Sequence, residues 1–145
     1  MRIVDANVLI HAVNADSRHH AAARRWLDGA LGGGDVVGLA WTALLAFVRL
    51  TTRPGLFPHP LPVEAALAQV EAWLAAPGAV VVHPTAAHGG HLRELLGARG
   101  TGGNLVADAH LAALAREHRA RIVSYDADFS RFAGVRVETP EDLAA

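Results

Sequence analysis

Short apolar runs alternate along this chain with longer stretches whose apolar residues recur at helical spacing. Arg2 to Val4 predict a buried strand, and Val8 to Val13 a first helix. Asn14-Ala15-Asp16-Ser17 supply a break with capping residue types. His19 to Leu31 predict an Ala-rich second helix with Trp26, Leu27 and Ala30 on one face, ended by Gly32-Gly33-Gly34-Asp35. Val36 to Ala40 read as a second strand. Trp41 to Thr52 read as a helix with a wide apolar face of Leu44, Leu45, Phe47 and Val48, and Thr42 as a plausible cap. Arg53 to Pro62 contain four prolines, which makes a stiff, extended loop. A helix over Glu64 to Ala75 carries Leu67, Val70, Trp73 and Leu74, and Pro77-Gly78 turn the chain into a short strand, Ala79 to Val82. Thr85 to Ala98 predict a helix containing His88 and His91. Gly97 to Gly103 hold four glycines, and a helix from Leu105 to His118 follows with Asn104 as its cap. Arg121 to Ser124 give a fourth strand and Val135 to Val137 a candidate fifth.

The order of elements is strand, helices, strand, helices, strand, helices, strand. It predicts one α/β domain over residues 1–145: a three-layer α/β/α arrangement with a central parallel sheet of four to five strands. Right-handed crossovers place every strand's carboxyl end on one edge, where open α/β sheets bind ligands. Asp5 follows the first strand and Asp126 the fourth, so both belong on that edge.

Composition narrows the chemistry. The chain has 145 residues, 52% of them hydrophobic, which suits a packed core. No apolar run approaches the ~18–20 residues of a membrane span. No basic-then-apolar leader precedes Arg2, so a cytoplasmic protein is expected. There are no cysteines, which excludes thiolate nucleophiles, disulfides, iron–sulfur clusters and Cys-bound zinc. All thirteen basic residues are arginine, so the lysine of a P-loop, a kinase or a Schiff-base enzyme is missing. A net charge of −1 gives no global pull on nucleic acid, and any such site must be a local arginine cluster.

Asp108 is the third carboxylate of interest. It lies one turn into its helix and interrupts the apolar face of Leu105, Leu111, Ala112 and Ala115. The reciprocal capping position would be Ala107, so a capping box does not explain it. Carboxylates gathered at one edge repel unless protonated, paired with arginine or bound to a cation. Oxygen ligands alone suit Mg²⁺ or Mn²⁺, and a bound water can then be activated for attack on a phosphodiester. Simpler roles stay open for each residue alone: Asp5 as a helix cap, Asp108 as a first-turn aspartate, Asp126 and Asp128 as turn residues.

Three segments resemble the PIN-domain family: Ile3-Val4-Asp5-Ala6-Asn7-Val8-Leu9-Ile10, Ala107 to Ala115, and Ile122-Val123-Ser124-Tyr125-Asp126-Ala127-Asp128-Phe129. Within it the chain is most similar to VapC, the toxin of bacterial type II toxin–antitoxin modules. Trp41 to Arg49, Thr52-Arg53-Pro54 and Gly103 to Val106 resemble one VapC subgroup. The resemblance implies a Mg²⁺- or Mn²⁺-dependent endoribonuclease acting on transfer or ribosomal RNA. It also implies a homodimer and neutralisation by a VapB-type antitoxin. Asp5, Asp108 and Asp126 fall on the family's metal-binding positions, Asp128 on an accessory acidic one, and Asn7 where a polar residue orients the first aspartate. One position departs. The family usually carries a glutamate on the helix after the second strand, and alignment on Arg49 puts Ala46 there. Trp41 to Thr52 hold no acidic residue. A degenerate fold that binds RNA or antitoxin without cleaving is therefore the alternative, and Glu94 could compensate only if its helix turned inward.

Other features carry weaker expectations. Arg49 and Arg53 are candidates for RNA phosphates, or for surface and antitoxin-paired arginines. Trp41, Phe47, Leu56, Phe57 and Trp73 are expected in the core or an interface. The helices bearing Phe47 and Trp73 would suit an amphipathic antitoxin segment if they expose apolar surface together. His88 and His91 have a zinc-like spacing without the flanking acid of a zinc-protease motif. His19-His20 are expected on a solvated face. A haloacid-dehalogenase-type phosphatase would need a second aspartate at Asn7 and a lysine, and has neither.

Overall fold

The computed structural model of the chain describes residues 1–57, 59–97, 102, 103 and 105–144. The expected Asn104 cap, and Gly100 in the glycine-rich turn, lie outside the described residues. Five short strands form one sheet: β1 (Arg2–Val4), β2 (Val37–Leu39), β3 (Ala79–Val81), β4 (Arg121–Val123) and β5 (Val137–Glu138). Their order is β3-β2-β1-β4-β5 and every pairing is parallel. The chain winds outward from β1 through β2 to β3, then crosses back to place β4 on the other side of β1. That reversal makes the β1/β4 junction the topological switch point, the position at which open α/β sheets bind ligands.

The helices are α1 (Ala6–Val13), α2 (His20–Gly29), α3 (Trp41–Thr51), α4 (Val63–Leu74), α5 (His88–Gly97), α6 (Leu105–Glu117) and α7 (Pro140–Ala144). Alternation along the strands sorts them into two layers. Val4, Val37, Leu39 and Val123 point to one face and pack with residues of α1 to α4, including Leu9, Leu27, Phe47 and Trp73. Ile3 and Ile122 point to the other and pack with Leu95 of α5, Leu114 of α6 and Phe129. Both faces are covered, as an all-parallel sheet requires. Gly38, mid-β2, faces the second layer. A Cβ there would lie 2.8 Å from Ile3 Cγ1 and 3.2 Å from Val82 Cγ1, so β1 and the end of β3 close over a position with no side chain.

Several local expectations change. The first helix begins at Ala6 instead of Val8, because the Asp5 carboxylate accepts a hydrogen bond from Ala6 N and caps it. Thr42 lies inside the first turn of α3, and the N-cap is Ala40, with no side-chain cap bond. The second helix runs into a π turn, Ala30–Gly34, where Gly33 takes a positive φ of 117°. The fifth strand falls at Val137–Glu138. α7 lies beyond the expected elements. Thr139 Oγ1 accepts from Asp142 N while the Asp142 carboxylate accepts from Thr139 N, a reciprocal capping box with Pro140 at the first helical position. Phe47 and Trp73 are buried and meet edge to face, whereas Trp41 and Leu56 are exposed. Among the described residues no helix is long and apolar enough to cross a membrane.

Candidate active site

Asp5 and Ser124 are the first residues past β1 and β4. The register pairs Val4 with Val123, so the two emerge side by side at the switch point. Ser124 is buried and acts as a hub. Its hydroxyl donates to Asp5 Oδ2 at 2.7 Å and accepts from Asn7 Nδ2 at 3.2 Å and from Asp126 N at 2.9 Å. Asn7 Oδ1 in turn accepts from Tyr125 N. One hydroxyl thus ties the first aspartate, its neighbour Asn7 and the backbone that carries Asp126. Both oxygens of Asp5 are engaged, Oδ1 by Ala6 N and Oδ2 by Ser124. Burial raises the Asp5 pKa above the usual range. The two hydrogen bonds oppose that shift, and the charge of Asp126 adds to it.

Asp126 Oδ1 accepts from Asp128 N and caps a 3-10 turn over Ala127–Arg131. Asp128 is half exposed and pairs with Arg131 at 3.5 Å. The capping and turn roles of Asp5 and Asp126 are therefore real, but they use only part of each carboxylate's capacity to accept. Asp108 differs. α6 returns to the start of β4 through a short turn, so it runs against the strands and its first turn lies at their carboxyl edge. Asp108 is half-buried, and its carboxylate has no hydrogen-bond or ion-pair partner among the described residues. Burial first, then the charges of Asp126, Asp5 and Asp128, raise its pKa to about 6. The structure thus brings Asp126, Asp5 and Asp128 within electrostatic reach of Asp108.

Among the described residues no three His, Asp or Glu side chains close into a ready-made metal cage. The chemistry of the set still fits a hard divalent ion. It is all carboxylate oxygen, carries mutual repulsion that a cation relieves, and includes one unpartnered member. Mg²⁺ in particular retains several waters and takes one or two carboxylates, so an open group suits it. α3 offers no acid: Ala46 is half-buried and the helix ends on Arg49 and Thr51. Glu94 does not fill the gap, because its side chain is exposed and pairs with Arg116. Arg49 and Arg53 are exposed at the end of α3 and just past it, without an ion pair among the described residues.

Two of the histidines are placed differently from expectation. His19 and His20 are not on a solvated face. His19 bonds Glu141 at 2.6 Å and stacks on Tyr125 at 4.1 Å, while His20 Nδ1 meets His11 O. The Tyr125 hydroxyl donates to Glu141, which docks α7 against the strand end carrying the site. His88 and His91 do not share a ligand. His88 bonds Glu117 at 2.5 Å and His110 at 2.9 Å, linking α5 to α6. Ser124 was the least visible participant from sequence. Its signal is positional: the one polar residue ending Ile122-Val123-Ser124 matches Asp5 ending Ile3-Val4-Asp5.

A profile of the PIN domain matches residues 2–135. Ribonuclease VapC37 of Mycobacterium tuberculosis is 64% identical over 143 residues, covering 99% of both chains. VapC ribonuclease Mb2897 of Mycobacterium bovis is 38% identical, covering 98% of this chain and 97% of its own. Among solved structures, the sarcin–ricin-loop-cleaving toxin VapC20 of M. tuberculosis superposes with a TM-score of 0.67 at 24% identity, covering 94% of this chain and 99% of its own. VapBC2 of Rickettsia felis, bound to a promoter DNA fragment, gives 0.69 at 16%, covering 95% and 97%. With the PIN-domain profile matching residues 2–135 and the M. tuberculosis VapC37 ribonuclease 64% identical over 99% of both chains, the chain belongs to the PIN-domain family, in its VapC branch.

Proposed function

We propose that the chain is a metal-dependent endoribonuclease, the toxin of a VapBC-type pair, and that residues 1–145 form a single PIN domain. The observation that carries this is the unpartnered, half-buried Asp108 facing the charges of Asp126, Asp5 and Asp128 at the carboxyl edge of the sheet. Asp5, Asp108 and Asp126 would hold the ion, Mg²⁺ or Mn²⁺, with Asp128 assisting from the rim. Such an ion supplies a water of lowered pKa and offsets charge on the phosphate. Ser124 fixes the Asp5 rotamer through Oδ2, and Asn7 holds Ser124 and the Tyr125 backbone in register. Arg49 and Arg53 would be the cations that neutralise RNA phosphates, steering the substrate without reading its sequence. Transfer and ribosomal RNA are the substrate classes to test.

The test is cleavage of RNA by purified protein. Asp5→Asn and Asp108→Asn are expected to reduce cleavage by at least about a thousandfold, roughly 4 kcal/mol of lost transition-state stabilisation, with unchanged circular dichroism. Wild-type rates in both variants would overturn the reading.

Partner binding follows from the surface. Trp41 and Leu45 on α3, Leu56 in the next loop, and Val63 and Leu67 on α4 are all exposed, Leu45 at 60%. That apolar surface supports docking of an amphipathic antitoxin segment and assembly as a homodimer. An RNA substrate places the protein in the cytoplasm. The second reading, a non-catalytic binding module, is favoured by the acid-free α3 at Ala46. Absence of Mn²⁺ binding at millimolar concentration by a folded protein would select it.

A further inference from the structure

At the opposite, amino-terminal edge of the sheet lies a second cavity, of about 530 Å³. It opens beside the starts of β4 and β5 and the end of α6. Arg116, Arg119, Arg121 and Arg136 line it, with His91 and Gly134. Among the described residues no acidic side chain is in the lining. Four of the thirteen arginines therefore converge on one pocket of a chain whose net charge is −1. Two carboxylates at its margin take up part of that charge. Glu94 pairs with Arg116, and Glu138 lies 3.5 Å from Arg121 while also bonding Arg2. Arg119 and Arg136 are exposed and have no carboxylate partner among the described residues. The carbonyls ending α6 contribute roughly half a negative charge. The arginines exceed what these groups neutralise by more than one unit.

Two further observations set the pocket apart. Arg119 has φ 51°, and among the described residues it is the single non-glycine residue in the left-handed region. It follows α6, where Ala120 N bonds back to Ala115 O. Glycine is the usual occupant of such a helix-ending position, because a Cβ is strained in the left-handed region. Here the strained position carries a guanidinium into the cavity lining. His91 adds an Nδ1 that is buried without a hydrogen-bond partner among the described residues.

We infer that this pocket binds a phosphate-bearing ligand. Guanidinium forks match phosphate oxygens in pairs, and a surplus near two positive charges suits a dianion better than a single carboxylate. The volume lies within the range of small-ligand sites. The phosphate can belong to a free di- or triphosphate, or to the backbone of an RNA. The inference does not depend on the ribonuclease reading, because it is tested with divalent metal removed and without cleavage.

The experiment is isothermal titration of the full chain in EDTA with two probes: inorganic pyrophosphate, and a short 2′-O-methyl oligonucleotide that cannot be cleaved. The comparison is Arg119→Asn/Arg136→Gln. Asn tolerates the left-handed backbone and both sites are exposed, so the variant keeps the wild-type circular dichroism. Loss of pyrophosphate binding by about tenfold or more in the variant, two charge-assisted contacts being removed, assigns a free phosphorylated ligand. Binding of the oligonucleotide alone, with a salt slope about 1.4 smaller in the variant at roughly 0.7 per arginine, assigns RNA backbone. If wild type binds neither probe, or the variant binds both equally well, the pocket is not a phosphate site.

Discussion

A carboxylate that is half-buried and unpartnered has a sign that can be measured. Asp108 has its pKa raised to about 6, by burial first and then by its acidic neighbours. A group raised in the folded state favours folding while protonated. That contribution is complete below the unfolded value, near 3.9 for aspartate, and is lost as pH rises through about 6. In metal-free protein at pH 7.5 the ionised Asp108 therefore destabilises the fold. Asp108→Asn removes that charge at nearly constant shape. Allowing for solvent screening at a half-exposed group, the variant should gain about 1 kcal/mol at pH 7.5 and nothing near pH 4. Urea unfolding in EDTA at the two pH values checks this, and a variant less stable than wild type at pH 7.5 would refute it. From sequence, Asp108 was visible because it broke an apolar face. Ser124 was not, since its importance arises from a neighbour 119 residues away at Asp5.

Elements were legible where their pattern was long or their ends were chemical. The strands were found because buried parallel strands read as apolar runs. Their extents were less accurate, because at two or three residues each the ladder sets the boundary more than the sequence does. α7 does not show in the pattern although Thr139-Pro140-Glu141-Asp142 carries a capping box, because Leu143 is the one large apolar residue after it and packs against the core. Gly38 makes the converse case. Strand propensity alone recommends valine in the middle of β2. The structure opposes it, since the added carbon would lie 2.8 Å from Ile3 Cγ1 in the centre of the sheet. Gly38→Val should cost roughly 1–3 kcal/mol through overpacking and displacement of β1, the strand that ends on Asp5. Chemical denaturation measures the cost. An unchanged midpoint would mean that Ile3 and Val82 yield easily.

Across the whole molecule, the order of strands could not be read from local pattern, but its consequence could. Alternating strands and helices imply a parallel sheet, and a parallel sheet puts Asp5 and Asp126 on one edge whatever the order. What needed three dimensions is the reversal between β3 and β4, which makes the two carboxylates neighbours and brings the first turn of α6 beside them. On the proposed metal role, the same convergence would couple ion binding to folding, because the unfolded chain has no site. A divalent ion at about 100 times its Kd should add about 2.7 kcal/mol of stability. In a chain of this length that is roughly 10 °C in Tm. Thermal unfolding of wild type with and without Mn²⁺ reads the increment directly. Asp108→Asn should begin higher than wild type in EDTA and gain little or nothing on adding the ion. The two melting curves should therefore exchange order between the two conditions. Repulsion among the aspartates alone would give the first difference without the exchange, and purely structural aspartates would give neither.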